Sequence, residues 1–180
     1  MNRPTIKIEK NILDKFIEIL TFLLIIVSII LIIIYYNQLP EKLPIQSNWP
    51  SKDKNGFGTK DLLWSNPIIF GIITMLIYKL NQYTLTLNYP REILENNEKF
   101  NYKMSTQMLR IISLIIAFMC LSLTLTSILN GLGNKTEFEK YFQPLFPVLL
   151  AGIPLFYIMR ILINKKDRQN RIYANKPIEK

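Results

Sequence analysis

The apolar positions of this chain gather into four long runs rather than a periodic stripe. Residues 16–36 form the first: 21 residues, of which 16 are Ile, Leu, Val or Phe. Its only charge is Glu18, close to the start. Each such residue favours insertion by about 0.3–0.6 kcal/mol at a helix centre, whereas a central charge costs about 2.5–3.5 kcal/mol. The sum favours insertion by roughly 5–10 kcal/mol, and a charge at the edge does not reverse it. As a helix the run is about 32 Å long, the thickness of a hydrocarbon core. A soluble helix needs a polar face at the 3.6 period, and residues 22–34 offer Ser28 alone. A signal-peptide core is about 7–15 residues long and closes on small residues. This run is longer and ends in Ile34-Tyr35-Tyr36.

Three further runs follow. The second is weaker, interrupted by Asn81 and Gln82, and extends toward Leu87. Residues 111–129 carry no charge. Residues 144–163 carry Arg160 near the end and prolines at 144, 147 and 154. The pattern predicts an all-α integral membrane four-helix bundle built as two transmembrane hairpins. The spans are about 16–36, 64–87, 107–130 and 144–164, with an outside loop over 37–63 and a cytoplasmic helix over about 90–106. That helix starts at Pro90, a favoured first helical position. It either lies at the interface or runs directly into the third span.

Charge orients the bundle. The net charge is +9, and four spans put both termini on one side. Sixteen of the 22 Lys and Arg residues fall on that side, including Lys79, Arg91 and Arg110 of the middle connection. The positive-inside rule places both termini in the cytoplasm, so the expected location is a cell membrane. A basic chain can also bind nucleic acid. Here the excess is spread over segments that flank spans, where topology and anionic headgroups account for it. The expected surroundings are the lipid bilayer, with no nucleic acid.

Small residues mark the expected helix contacts, because in lipid close backbone approach drives association. On the third span Ser113, Ala117, Cys120, Thr124, Ser127 and Gly131 recur at alternating steps of four and three. This is the seam of a left-handed crossing. The second span offers Gly71, Thr74 and Tyr78, and the first Thr21, Ser28 and Tyr35. Two readings stand for the hydroxyls: packing, with each bonded to a carbonyl one turn back, or a polar pathway along Thr124, Thr74 and Tyr78. No charge falls at mid-depth in any run, so the usual mark of an ion relay is missing.

Candidate chemistry is sparse. The chain has no His and one Cys, so imidazole catalysis and an internal disulfide are excluded. No cofactor, metal site or catalytic residue is expected. The outside loop is dense in turn signals instead: Leu39-Pro40, Leu43-Pro44, Trp49-Pro50 and Asn55-Gly56-Phe57-Gly58. Loops of this length are often functional or packed on themselves. The candidate loop motif is Leu39, Pro40, Pro44, Asn48, Trp49, Gly56, Gly58 and Lys60. A second candidate, on the cytoplasmic side, is Asn88, Tyr89, Pro90, Glu95, Asn96 and Tyr102.

In these two segments the chain resembles the bacterial membrane domain of unknown function 1648, which also occurs ahead of SdpI-type immunity domains. The outside loop is similar in Leu39-Pro40, Leu43-Pro44, Asn48, Gly56-Phe57-Gly58-Thr59-Lys60 and Pro67. Asn88-Tyr89-Pro90, Ile93, Glu95-Asn96 and Tyr102 resemble its second motif. Gln46 stands where that family has His, so a titrating imidazole is absent. The resemblance implies a membrane protein tied to toxin immunity or membrane stress. The expected function is non-enzymatic: binding or sensing through the outside loop, with a peptide, a lipid or a membrane protein as partner. The alternative is a small transporter or transporter subunit.

Overall fold

The computed structural model describes residues 10–44, 57–83, 98–134 and 138–174. Helix α1 is Ile12–Tyr35. Two short strands follow, β1 (Lys42–Pro44) and β2 (Phe57–Thr59), then a 3-10 turn, Lys60–Trp64. Helix α2 is Ser65–Gln82, α3 is Glu98–Gly131 and α4 is Phe138–Ala174. The fold is all-α with four principal helices, each long and apolar enough to cross a membrane.

Their limits follow from local chemistry. Asn11 starts α1 as a capping box. Its side-chain oxygen accepts from the Leu13 amide at 3.0 Å, and its own amide donates to Asp14 Oδ2 at 3.0 Å. These bonds satisfy amides that have no partner within the helix. The second apolar span runs Lys60–Gln82, against 64–87 expected; it opens in the 3-10 turn and α2 ends at Gln82. Residues 84–87 lie outside the described residues. The helix expected over 90–106 is, from Glu98 onward, the first part of α3, which continues into the third span without a break. At 34 residues α3 is about 51 Å long, well beyond the roughly 30 Å of a hydrocarbon core.

At the far end of α3 the Asn134 amide donates to Leu129 O at 3.0 Å and the Gly133 amide to Asn130 O at 3.1 Å. This Schellman pair needs a left-handed residue, supplied by Gly133 at φ 86°. Helix α4 runs unbroken through Pro144, Pro147 and Pro154. Apolar spans tolerate proline where neighbouring groups satisfy the freed carbonyls.

Helix α3 is the hub and packs against α1, α2 and α4. The chain does run as two up-and-down pairs, but its most extensive contact crosses between them, α1 against α3. The reason is the match of two seams. Helix α1 buries Asp14, Thr21, Ile25, Ser28 and Ile32, and α3 buries Ser113, Ala117, Cys120 and Thr124. Ile25, Ala117 and Cys120 form one apolar cluster between them, with Phe70 of α2 packed against it. Gly71 of α2 faces α1, where a Cβ would sit at an ordinary contact distance of 3.8 Å from Ile25 Cγ2. Most hydroxyls with assigned bonds turn back on their own helices. Thr21 donates to Ile17 O at 2.7 Å, Ser28 to Leu24 O at 2.9 Å and Thr126 to Ser122 O at 2.8 Å.

Candidate functional site

The two ends of the bundle carry its polar chemistry. At one end the long connection folds back on the helices. Leu-Pro pairs favour extended chain, and β1 pairs antiparallel with β2, Lys42 opposite Thr59, Leu43 opposite Gly58 and Pro44 opposite Phe57. The Lys60 amide extends the ladder by donating to Glu41 O at 3.0 Å. Strand alternation leaves Lys42 in solvent and turns Leu43 inward. Leu39, Leu43 and Leu63 then form a second apolar cluster with Ile32 of α1 and Ile128 of α3. Gly131, at the tip of α3, is what admits them: a Cβ there would collide with Leu43 and lie 2.7 Å from Leu39 Cδ2.

Around this plug stands a ring of polar and aromatic groups. Lys60 Nζ donates to Glu41 Oε1 at 2.8 Å and lies 4.8 Å from the centre of the Tyr36 ring. The Tyr36 hydroxyl donates to Asp61, and its ring packs at a tilt on Trp64, 6.5 Å between centres. Beside the plug a cavity of about 190 Å³ opens between the hairpin, α2 and α3. Leu43, Leu63, Ile69, Phe70, Met119 and Leu123 supply apolar wall, while Thr59, Asn66 and Ser127 supply polar points.

Of the candidate loop residues the structure thus brings Leu39, Gly58 and Lys60 together, with Pro44 in β1. Leu39 and Gly58 are buried and Pro40 is exposed. Asn48, Trp49 and Gly56 lie outside the described residues, as do Asn88, Tyr89, Pro90, Glu95 and Asn96. Tyr102 is fully buried in α3, remote in sequence from the hairpin end. Thr74 and Thr124 are buried, and among the described residues their hydroxyls meet no well-aligned hydrogen-bond partner. Both cavities described here lie at the ends of the bundle and are lined by neither threonine.

The opposite end holds a cluster that the sequence reading did not assemble. Arg110 of α3 is buried against α1, its Nε donating to Glu18 Oε1 at 3.0 Å. Its Nη1 lies 3.1 Å from Asp14 Oδ1 without hydrogen-bond alignment, so that contact is ionic only. The side chains of Arg110, Asp14 and Glu18 are 5%, 6% and 15% exposed. Lys10 completes the set, 2.7 Å from Glu18 Oε2 and 5.3 Å from the Tyr78 ring centre. Two cations face two anions. Asp14 serves twice, one oxygen capping α1 and the other facing Arg110. A cavity of about 10 Å³, the size of a single water, lies among Glu18, Tyr78, Asn81 and Arg110.

A signal for this cluster was present. Asn11 and Asp14 have capping-box spacing, and Asp14 and Glu18, four apart, share one face of α1 just before an uncharged apolar run. A pair of carboxylates at that depth calls for a cation from another helix. Among the described residues no group of three or more His, Cys, Asp or Glu gathers as metal ligands. No family model, no curated protein and no solved structure matches this chain.

Proposed function

We propose that this chain is a non-catalytic, multi-pass protein of a bacterial cell membrane that acts by binding an amphiphile on its outer face. The reading places both termini in the cytoplasm, because sixteen Lys and Arg residues fall on that side. The hairpin then faces outward. The observation that carries the proposal is the 190 Å³ cavity between hairpin, α2 and α3. Its wall is mostly apolar and its few polar points include hairpin-side Thr59 and Asn66, the composition of a binding site. Among the described residues that line it, no nucleophile stands beside a base. The resemblance of the loop to the domain of unknown function 1648 supports a role in immunity or response to membrane-active agents.

The test is in cells. A strain lacking this gene should be more sensitive to membrane-active amphipathic peptides, and the wild-type chain should restore resistance. Ser127→Phe, which fills the cavity, should insert at wild-type level and fail to restore it. Equal survival of the variant and wild-type strains would remove the outer-face reading.

A further inference from the structure

The cavity at the hairpin end has a shape and an opening that select among amphiphiles. On α3 its wall is Met119, Leu123 and Ser127, three residues at successive steps of four. That wall is about 12 Å long at 1.5 Å per residue. On α2 the wall is Ser65 and Asn66, then Ile69 and Phe70 one turn further in. The space is therefore elongated along the helices. An apolar cavity of about 150 Å³ is enough for a benzene ring, so 190 Å³ drawn out over two turns suits a narrow chain better than a bulky ring system.

One wall of the cavity borders the outward face of α2. Ile69, part of the wall, is 43% exposed and belongs to a row of outward-facing α2 residues with Ile68, Ile72, Met75 and Leu76. In a bilayer that row meets lipid, which sets hydrocarbon against this wall of the cavity. The polar points are graded along its length. Thr59 and Asn66 lie at the hairpin side, whereas Phe70 and Met119 lie deepest. The Ser65 hydroxyl is already used, donating to Leu62 O at 2.6 Å. Among the described residues no lining residue is charged, and neighbouring Lys60 pairs with Glu41 at the rim.

From these observations we infer that the cavity is a phospholipid site: one acyl chain of a lipid in the hairpin-side leaflet lies along Met119, Leu123 and Ser127. Thr59 and Asn66 meet its ester and glycerol oxygens. Because the described wall is uncharged, the site reads the chain and the ester region rather than the headgroup. This inference rests on the outer-face reading for its biological meaning, but its test does not.

Purified protein in detergent, titrated with dioleoyl phosphatidylglycerol or dioleoyl phosphatidylethanolamine, should show one tightly held lipid by native mass spectrometry, with the two lipids equally retained. Ser127→Phe and Leu123→Trp should each lower that retention at least ten-fold. Leu155→Phe, on the exposed face of α4, should leave it unchanged. Equal retention in all four proteins, or a ten-fold preference for one headgroup, overturns the inference. So does displacement of the lipid by a short apolar peptide, acetyl-Phe-Ile-Phe-amide, that the lipid cannot reverse; the cavity is then a peptide site. Loss of lipid in the filled variants without any change in cell survival upholds the lipid site and removes the immunity role.

Discussion

The two ends of the bundle are closed by opposite means. At the hairpin end Leu39, Leu43 and Leu63 plug the gap between Ile32 and Ile128, and the ion pair there is left at the rim, with Glu41 86% exposed. At the other end the closing contact is itself ionic: Arg110 is buried against Asp14 and Glu18. The same two helices, α1 and α3, are joined at both ends. An apolar plug tolerates the loss of a methyl group in proportion to its size. A buried ion cluster does not degrade gradually, because removing one member strands the others in a poorly solvating interior. The molecule therefore has one graded end and one all-or-none end.

Breaking the ionic end should have the largest effect. Arg110→Met leaves Asp14 and Glu18 without their buried cation, and a loss of about 3–5 kcal/mol is expected by the measure of broken buried pairs. Thermal melting in detergent should show it. Adding Asp14→Asn and Glu18→Gln should restore most of that loss, since the buried charges are then removed together and the remaining Lys10, 36% exposed, is solvated. A triple variant no better than Arg110→Met would mean that packing, rather than charge, holds this end.

Gly131→Leu attacks the other end. The added side chain meets Leu43 and Leu39, and overpacking of this kind costs about 1–3 kcal/mol. Hydrogen exchange should rise at residues 39–44 and 57–59 while the Arg110 end stays protected. Exchange that rises equally at both ends would deny the independence of the two closures. The smallest effect should come from Lys60→Met. Its partner Glu41 is almost fully exposed, and pairs of that kind contribute little. Melting should stay at the wild-type value, with or without added salt.

The difference between the ends also explains what the sequence made legible. Helices α1 and α3 were readable because sixteen apolar residues in the first run and a small-residue seam in the third state burial and contact directly. The plug was half legible. Leu39-Pro40 and Leu43-Pro44 announced extended chain, but the pairing of β1 with β2 depends on closing the loop between them. The contact with Gly131 joins residues far apart in the chain. The ion cluster was not read at all. Glu18 and Arg110 each stand near the end of a run, where charge is ordinary, and 92 positions separate them. In a count of positive residues Arg110 looks like one more flanking charge. Only the packing of α1 on α3 turns it into a counter-ion. The cavity was equally silent, because it is a gap between three elements that each look complete alone.

The 92-position separation has a consequence for biogenesis. At about 5–20 residues per second, ribosomes take roughly 5–18 s to make the chain between Glu18 and Arg110. During that interval the first segment sits in the membrane with its carboxylates and without Arg110. Lys10, only eight positions away from Glu18, is already synthesised. Its carboxylate partner is Glu18, so Asp14 meets its cation only when the third segment brings Arg110.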